Sequence, residues 1–277
     1  MNAKEHFDQL FKRFAELTDQ ARQSEEMTRW LSTLAKFHRY SFGNIMLIAS
    51  QRPDATQVAG IKTWNKLGRR VKKGEKGIKI LVPVLVKKKN EDEDEVDDEV
   101  DDEDNVLFFR TGYVFDISQT EGEPLPNEPK WWSDGDAPAE LLERIVTAIE
   151  ADGIAVRIVE KTIAGGDARG VSIGGLIQVI QDATPLSRAS TLIHEWAHEI
   201  RRRNPDDAQP REVEEVIVEA VAYAVLAHYG LNPKNNATYV ALWQGGKDYL
   251  RQNMKIIKRL VSEIIEKIER VSEKVVA

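Results

Sequence analysis

His194-Glu195-Trp196-Ala197-His198 is an H-E-x-x-H sequence. The apolar residues around it, Leu186, Ala189, Leu192, Ile193, Trp196 and Ala197, follow helical spacing. Residues i and i+4 share one face of an α-helix, so both imidazoles can point at one ion. Glu195 follows the first histidine, where its carboxylate can reach a water beside that ion. This is the donor pattern of a zinc hydrolase with glutamate as general base. Thr184-Pro185 gives the helix an N-cap and a first-turn proline. Arg201-Arg202-Arg203 ends it with cations, which suit the helix dipole. The chain has five histidines and two lie in this motif, so any imidazole metal site centres here.

A catalytic zinc takes three protein ligands and keeps one position open. The third ligand is expected on the next helix, which runs from about Arg211 to Tyr229 and stops at Gly230. Glu219 is the one charged residue between Val216 and Ala227. A carboxylate in such an apolar stretch is costly to bury unless it is paired or bound to a metal. Glu212, Glu214 and Glu215 are rivals at the polar helix start, where acids favour the dipole. His228 reads as a partly exposed or capping histidine. Tyr223, one turn after Glu219, is either an oxyanion donor or a core tyrosine. The expected reaction is hydrolysis of peptide bonds by an activated water, with catalytic Glu195 moving the proton to the leaving amine. Zinc is the expected cofactor, and manganese or another divalent ion also suits a His/His/Glu set. The strand at Leu176 to Gln181 offers an edge for an extended peptide, or is an ordinary core strand.

Working towards the N-terminus, Leu125 to Pro138 is rich in proline and turn residues and reads as a domain boundary. It divides residues 1–125 from residues 126–277. Residues 3–35 look helical: Phe7, Leu10, Phe11, Phe14 and Leu17 follow i, i+3, i+4 spacing, and Met27, Trp30, Leu31 and Leu34 repeat it. Ile78 to Val86 and Val106 to Ile117 read as strands, and the glycines between Gly60 and Gly77 as closely spaced turns. Beyond the boundary come a helix (Ala139 to Asp152), a strand (Ala155 to Glu160), glycine-rich hairpin turns at Gly165 to Gly175, and a last helix from about Lys247 to Val275. That last helix either packs internally or joins two copies of the chain. The fold class expected is α+β: N-terminal helices with a small antiparallel sheet, then a zincin-like domain carrying the H-E-x-x-H helix.

A net charge of −7 hides an asymmetry. Glu91 to Asp104 has twelve acids in fourteen residues; without it, 39 basic residues face 34 acidic ones. Residues 36–89 hold fourteen Lys and Arg against two acids. Such a region has the electrostatic footprint of a nucleic-acid binder. Lys62, Lys66, Arg69, Arg70, Lys72, Lys73 and Lys76 are candidate phosphate contacts, and Tyr40 and Trp64 candidate base-stacking residues. The acidic tract reads as a disordered insertion at a hairpin tip, a tethered polyanion able to compete with DNA for the basic face. No apolar run nears the roughly 18 residues of a membrane span, and the N-terminus lacks a signal peptide. With no cysteine there is no disulfide framework or thiolate metal site, and a cytoplasmic location is expected.

Several of these segments resemble one family. Tyr40-Ser41-Phe42-Gly43-Asn44, Ala59-Gly60 through Trp64, Leu67-Gly68-Arg69 with Val71 to Gly77, and Val114 to Thr120 are similar to the N-terminal domain of ArdC-type antirestriction proteins. Leu192 to His198 and Glu219 to Tyr223 resemble the metallopeptidase domain of the same proteins, which is related to ImmA/IrrE-type and Spartan-type zincins. The resemblance spans about residues 25–265. It implies single-stranded DNA binding by the first domain and a zincin fold in the second, with His194, His198 and Glu219 as zinc ligands and Glu195 as catalytic glutamate. The acidic insertion departs from the family pattern. Two rivals to a DNA-associated peptidase follow: an antirestriction factor that coats DNA and uses the metal for stability alone, and a regulatory protease that cuts a specific repressor.

Overall fold

The computed structural model describes residues 1–85, 106–125, 137–166, 168–181, 183–231 and 239–276. The acidic tract and most of the expected boundary segment lie outside them. The chain forms two compact units, Met1–Pro126 and Asn127–Ala277. Both mix helices with small sheets, so the class is α+β.

In the first unit the expected 3–35 helix is two helices, α1 (Ala3–Ala15) and α2 (Gln20–Lys36). The break falls where Asp19 takes an extended conformation and its carboxylate caps α2 by accepting from Arg22 N. Side-chain capping competes with a continuous helix, and the apolar stripe does not register the interruption. α3 (Phe42–Gln51) is capped by Ser41. Phe42 then meets Phe7, Phe11 and Trp30 edge-on, with centroids 5.7–6.0 Å apart, which joins the three helices in one aromatic core.

β3 (Ile78–Leu85) pairs antiparallel with β4 (Val106–Asp116), and β1 (Val58–Ala59) pairs with the far end of β4. This leaves β3 an outer strand, and α3 covers its edge with amide side chains. Asn44 donates to Leu81 O at 2.9 Å and accepts from Leu81 N at 2.7 Å. Gln51 repeats the pair with Lys79 at 2.9 and 3.0 Å. Two amides seven residues apart on a helix thus stand in for a neighbouring strand, and satisfy backbone groups that would otherwise invite another chain. A Cβ at Gly43 would lie 3.2 Å from Leu81 Cδ1, so glycine permits this approach. α4 (Ile61–Lys66) leads into β2 (Arg69–Val71), which forms a separate ribbon with β5 (Thr120–Gly122).

In the second unit α5 (Ala137–Ala151) precedes β6 (Ala155–Val159), β7 (Gly170–Ser172) and β8 (Leu176–Ile180). The sheet order is β6-β8-β7, with β6 parallel and β7 antiparallel to β8. β8 is therefore the central strand and has no open edge. The reading of it as a peptide-pairing edge is corrected: its continuous apolar pattern belongs to a strand paired on both sides.

The H-E-x-x-H helix is α6 (Pro185–Arg202), followed by α7 (Arg211–His228) and α8 (Gly246–Val276). α6 packs on α5, α7, β7 and β8. α8 packs within the unit, against α5 and α7. Its Leu250, Met254, Ile257, Val261, Ile264 and Ile268 are fully buried, each contributing about 1.5–3 kcal/mol of burial. Asp152, after α5, receives Trp196 Nε1 at 2.9 Å, Lys267 Nζ at 2.7 Å and Arg203 Nη1 at 3.1 Å. It fixes the rear of α6 to α8. Among the described residues no helix is long and apolar enough to cross a membrane.

Candidate functional site

Trp196, Ala197 and Ile193 turn into the core and are fully buried, which leaves His194, Glu195 and His198 on the faces towards α7 and β7. The two imidazoles stand 5.0 Å apart between centroids. Glu215 of α7 lies beside both: its Oε2 is 3.4 Å from His194 Nε2 and 3.7 Å from His198 Nε2. One donor atom from each of the three residues falls within 4.8 Å of the others. Metal–ligand bonds of about 2.0–2.2 Å in tetrahedral geometry separate donors by roughly 3.3–3.6 Å. The set is therefore already spaced for one small divalent ion.

The opposite ring nitrogens are engaged too. Glu219 Oε2 lies 3.4 Å from His194 Nδ1, and Glu214 Oε1 lies 2.9 Å from His198 Nδ1. Glu214 also pairs at 3.2 Å with the buried Arg201. A carboxylate on Nδ1 favours the tautomer whose Nε2 lone pair is free for an ion. Burial pushes the His194 imidazole down. The hydrogen bond to Glu219 and the charges of Glu195, Glu219 and Glu215 outweigh it, so its pKa is raised: this is a site of concentrated negative charge that attracts cations.

The third carboxylate differs from the reading of the sequence in one respect. Glu219 is not buried; its side chain is 45% exposed, much like Glu215 at 47%. The apolar residues around it occupy the other faces of α7, and Glu219 looks into a cleft of about 210 Å³. Arg169, Gly170, Ser190, Thr191, His194 and Glu195 line the same cleft. Glu215 belongs to the donor triplet but not to this cleft, whereas Glu219 lines it. Glu214 and Glu215, two of the rival carboxylates at the polar helix start, face the histidines. Their signal is positional: Glu215 and Glu219 are i and i+4, on one face of α7. Arg169 carries no such signal in the sequence; it precedes β7, and β7 crosses close to α6. A Cβ at Gly170 would lie 2.3 Å from Thr191 Cγ2 and 3.3 Å from Glu195 Oε1, so only glycine lets the strand approach the helix here. Tyr223 is partly exposed, one turn beyond Glu219, and is not among the cleft residues. His228 sits at the end of α7, 3.5 Å from Glu269.

The basic candidates of the first unit divide. Lys62, Lys66, Arg70, Lys72, Lys73 and Lys76 are exposed, and Lys72 Nζ donates to Ser118 O at 2.9 Å. The Arg69 guanidinium is spent inside the fold, donating to Thr120 Oγ1 and to the carbonyls of Thr120, Gly122 and Glu123. It clamps β2 to β5 and is only partly exposed. Trp64 is corrected: it is 2% exposed, and its indole donates to Phe115 O at 2.9 Å. Its ring packs in the core and has no face for a base. Tyr40 is partly exposed, with its hydroxyl donating to Val58 O at 3.2 Å.

Comparison with known proteins adds the following. Residues 2–115 match the family described as the N-terminal domain of anti-restriction factor ArdC. An uncharacterized protein of Bacillus anthracis is 25% identical over 282 residues, covering 89% of this chain. The chain spans about half the length of that relative, 48% of it. Two crystal structures of the antirestriction ArdC protein from the R388 plasmid share its fold at 18% identity. The metal-free form has a TM-score of 0.55, with 96% of each chain covered. The Mn(II)-bound form has a TM-score of 0.54, with 96% of this chain and 97% of that chain covered. Residues 2–115 thus match the model of the ArdC N-terminal domain, and the fold is similar to that of the antirestriction ArdC protein from the R388 plasmid.

Proposed function

We propose that the protein is a DNA-associated, metal-dependent peptidase of the antirestriction type. In this reading the basic region at residues 36–89 of the first unit binds single-stranded DNA, and a zincin-like second unit hydrolyses peptide bonds in proteins on or near it. The observation that carries the peptidase half is the convergence of His194, His198 and the α7 carboxylates beside a cleft that also holds Glu195. The donor set fits a divalent ion by spacing and by chemistry. His194 and His198 would hold it with one carboxylate of α7: Glu215 by the spacing seen here, or Glu219, which lines the cleft. When bound, the ion supplies Lewis-acid polarisation and a water acidic enough to ionise near neutral pH. Zinc suits two imidazoles and a carboxylate; the Mn(II)-bound R388 protein supports the broader class of divalent ions.

The chain's own residues supply the rest. Glu195 takes a proton from the attacking water and delivers it to the departing amine as the C–N bond breaks. Arg169 brings a guanidinium to the cleft, where it stabilises charge developing on the carbonyl oxygen. This role falls to Arg169 in preference to Tyr223, because Arg169 lines the cleft. β7, an outer strand beside Glu195, replaces β8 as the edge on which an extended peptide can lie.

The test is metal analysis of the purified protein beside a protease assay, with and without single-stranded DNA, on the wild type and Glu195→Gln. The variant should lose about 10²–10⁴-fold in cleavage rate and keep its metal and its DNA affinity. If it retains antirestriction activity in full, the function rests on DNA binding, and the metal is structural.

A further inference from the structure

Burial of Trp64 leaves the proposed DNA-binding unit with only one of the two rings expected to stack on bases, the partly exposed Tyr40. We infer that this role belongs to β4, whose exposed aromatic side chains form a stacking surface for single-stranded nucleic acid. The inference rests on the DNA-binding reading above. Of the nine large apolar side chains exposed among the described residues, three stand on this one strand: Phe108, Phe109 and Tyr113, at 58%, 46% and 54%. Isolated exposed apolar residues are ordinary; here Phe109 and Tyr113 stand exposed on one face of a single strand, with Phe108 exposed on the other.

The strand geometry arranges them. Phe109 and Tyr113 share a face, because side chains alternate, and their positions are about 13 Å apart along the strand. Between them Thr111 Oγ1 accepts from Ala3 N of α1 at 3.0 Å, so the rings flank the first turn of that helix. Phe108 lies on the opposite face with exposed Arg110. Tyr113 pairs across the sheet with Lys79. Burying any of the three rings would shorten the exposed apolar strip, yet none turns inward, although neighbouring Val114 and Phe115 do.

Charge selects the occupant. The rings are interleaved with Arg110 and Lys79, in a unit where residues 36–89 hold fourteen basic residues against two acids. A polyanion with unpaired bases satisfies both features: phosphates meet the lysines and arginines, and base faces meet the rings. A duplex satisfies only the first, because its bases are already stacked.

The test uses the full chain with fluorescently labelled oligonucleotides, single-stranded and duplex, across a range of salt. Phe109→Leu and Tyr113→Leu keep an apolar side chain but remove the π face. Each should weaken single-strand binding by about tenfold, leave the salt slope and duplex binding unchanged, and leave the thermal unfolding transition in place. Phe109→Tyr and Tyr113→Phe should bind as the wild type does. If the wild type binds no DNA, the DNA reading fails, and this inference with it. If the wild type binds and the leucine variants bind equally, only the stacking surface is refuted. The stacking surface is refuted equally if those variants change self-association in sedimentation instead, since the face is then an interface between copies.

Discussion

Glu214 Oε1 lies 2.9 Å from Nδ1 of His198, on the edge of the ring opposite the one that faces Glu215. A carboxylate held there orients the imidazole and raises the basicity of its other nitrogen. Arg201 completes the arrangement: it is 4% exposed and lies against Glu214, so the glutamate is itself fixed. Glu214→Gln should therefore weaken metal binding by about 10–100-fold without removing a ligand. Competition with a chromophoric chelator measures this. Affinity equal to that of the wild type would reduce Glu214 to a surface partner of Arg201.

In the proposed reading Glu219 and Glu215 compete for one coordination position: spacing favours Glu215 and the cleft favours Glu219. An ion that serves Glu195 must border the space where substrate enters, and Glu219 lines that space. In the present arrangement Glu215 faces His194 Nε2 and Glu219 faces His194 Nδ1, each at 3.4 Å, so the two carboxylates meet different nitrogens of that ring. Glu219→Gln should cost at least about 100-fold in metal affinity and abolish cleavage, whereas Glu215→Gln should cost about tenfold, by loss of a nearby charge rather than a ligand. The reverse order would assign Glu215 to the ion and move the ion away from the cleft.

Trp64 is the only buried side chain of α4, a six-residue helix otherwise exposed. Trp64→Ala should destabilise the first unit by about 3–5 kcal/mol, and Trp64→Phe by less, with loss of the hydrogen bond to Phe115 O. Neither should alter DNA affinity per folded molecule. Denaturant titration followed by oligonucleotide binding separates the two effects. A Trp64→Phe variant that folds normally but binds DNA poorly would return the ring to the interface.

The H-E-x-x-H helix is legible in the sequence because its spacing, its Thr184-Pro185 start and its arginine end all agree. The path of α7 beside it is equally clear. The orientation of Glu219 is not, because an apolar stretch marks a helix for burial without saying which face a lone carboxylate occupies. The role of Trp64 is hidden for a related reason. An aromatic residue among lysines suits stacking, but in a helix this short Trp64 is the one side chain that anchors it, since Ile61 is exposed. The motif Ser41-Phe42-Gly43-Asn44 carries the family resemblance, yet its work is a cap, an aromatic contact, a close approach and the sealing of the β3 edge. Such long-range backbone contacts leave no periodic trace.

Asp116 gives the first unit a defined acid sensitivity. Its side chain is 2% exposed and accepts from Thr56 N at 2.8 Å, Gln57 N at 3.1 Å and Ser118 N at 3.0 Å. Burial pushes the carboxyl up, but the hydrogen bonds from Ser118, Thr56 and Gln57 outweigh it and hold its pKa below the ordinary 3.8. In acid the unfolded chain therefore takes the proton first, and stability falls as pH drops from the ordinary value through the lower folded one. Above that window the contribution is complete, so it is flat at neutral pH. Asp116→Asn removes the titration: the variant should be less stable at pH 7, by roughly 1–3 kcal/mol, yet lose less on going below about pH 4. Asp152 is pushed up by burial and brought down further by Lys267 and Trp196. It keeps its contribution in the variant, so the acid slope is reduced and not abolished. Calorimetric melts from neutral pH into acid measure the difference. Parallel curves for variant and wild type would show that Asp116 has the same pKa folded and unfolded, and would refute the acid sensitivity assigned to it.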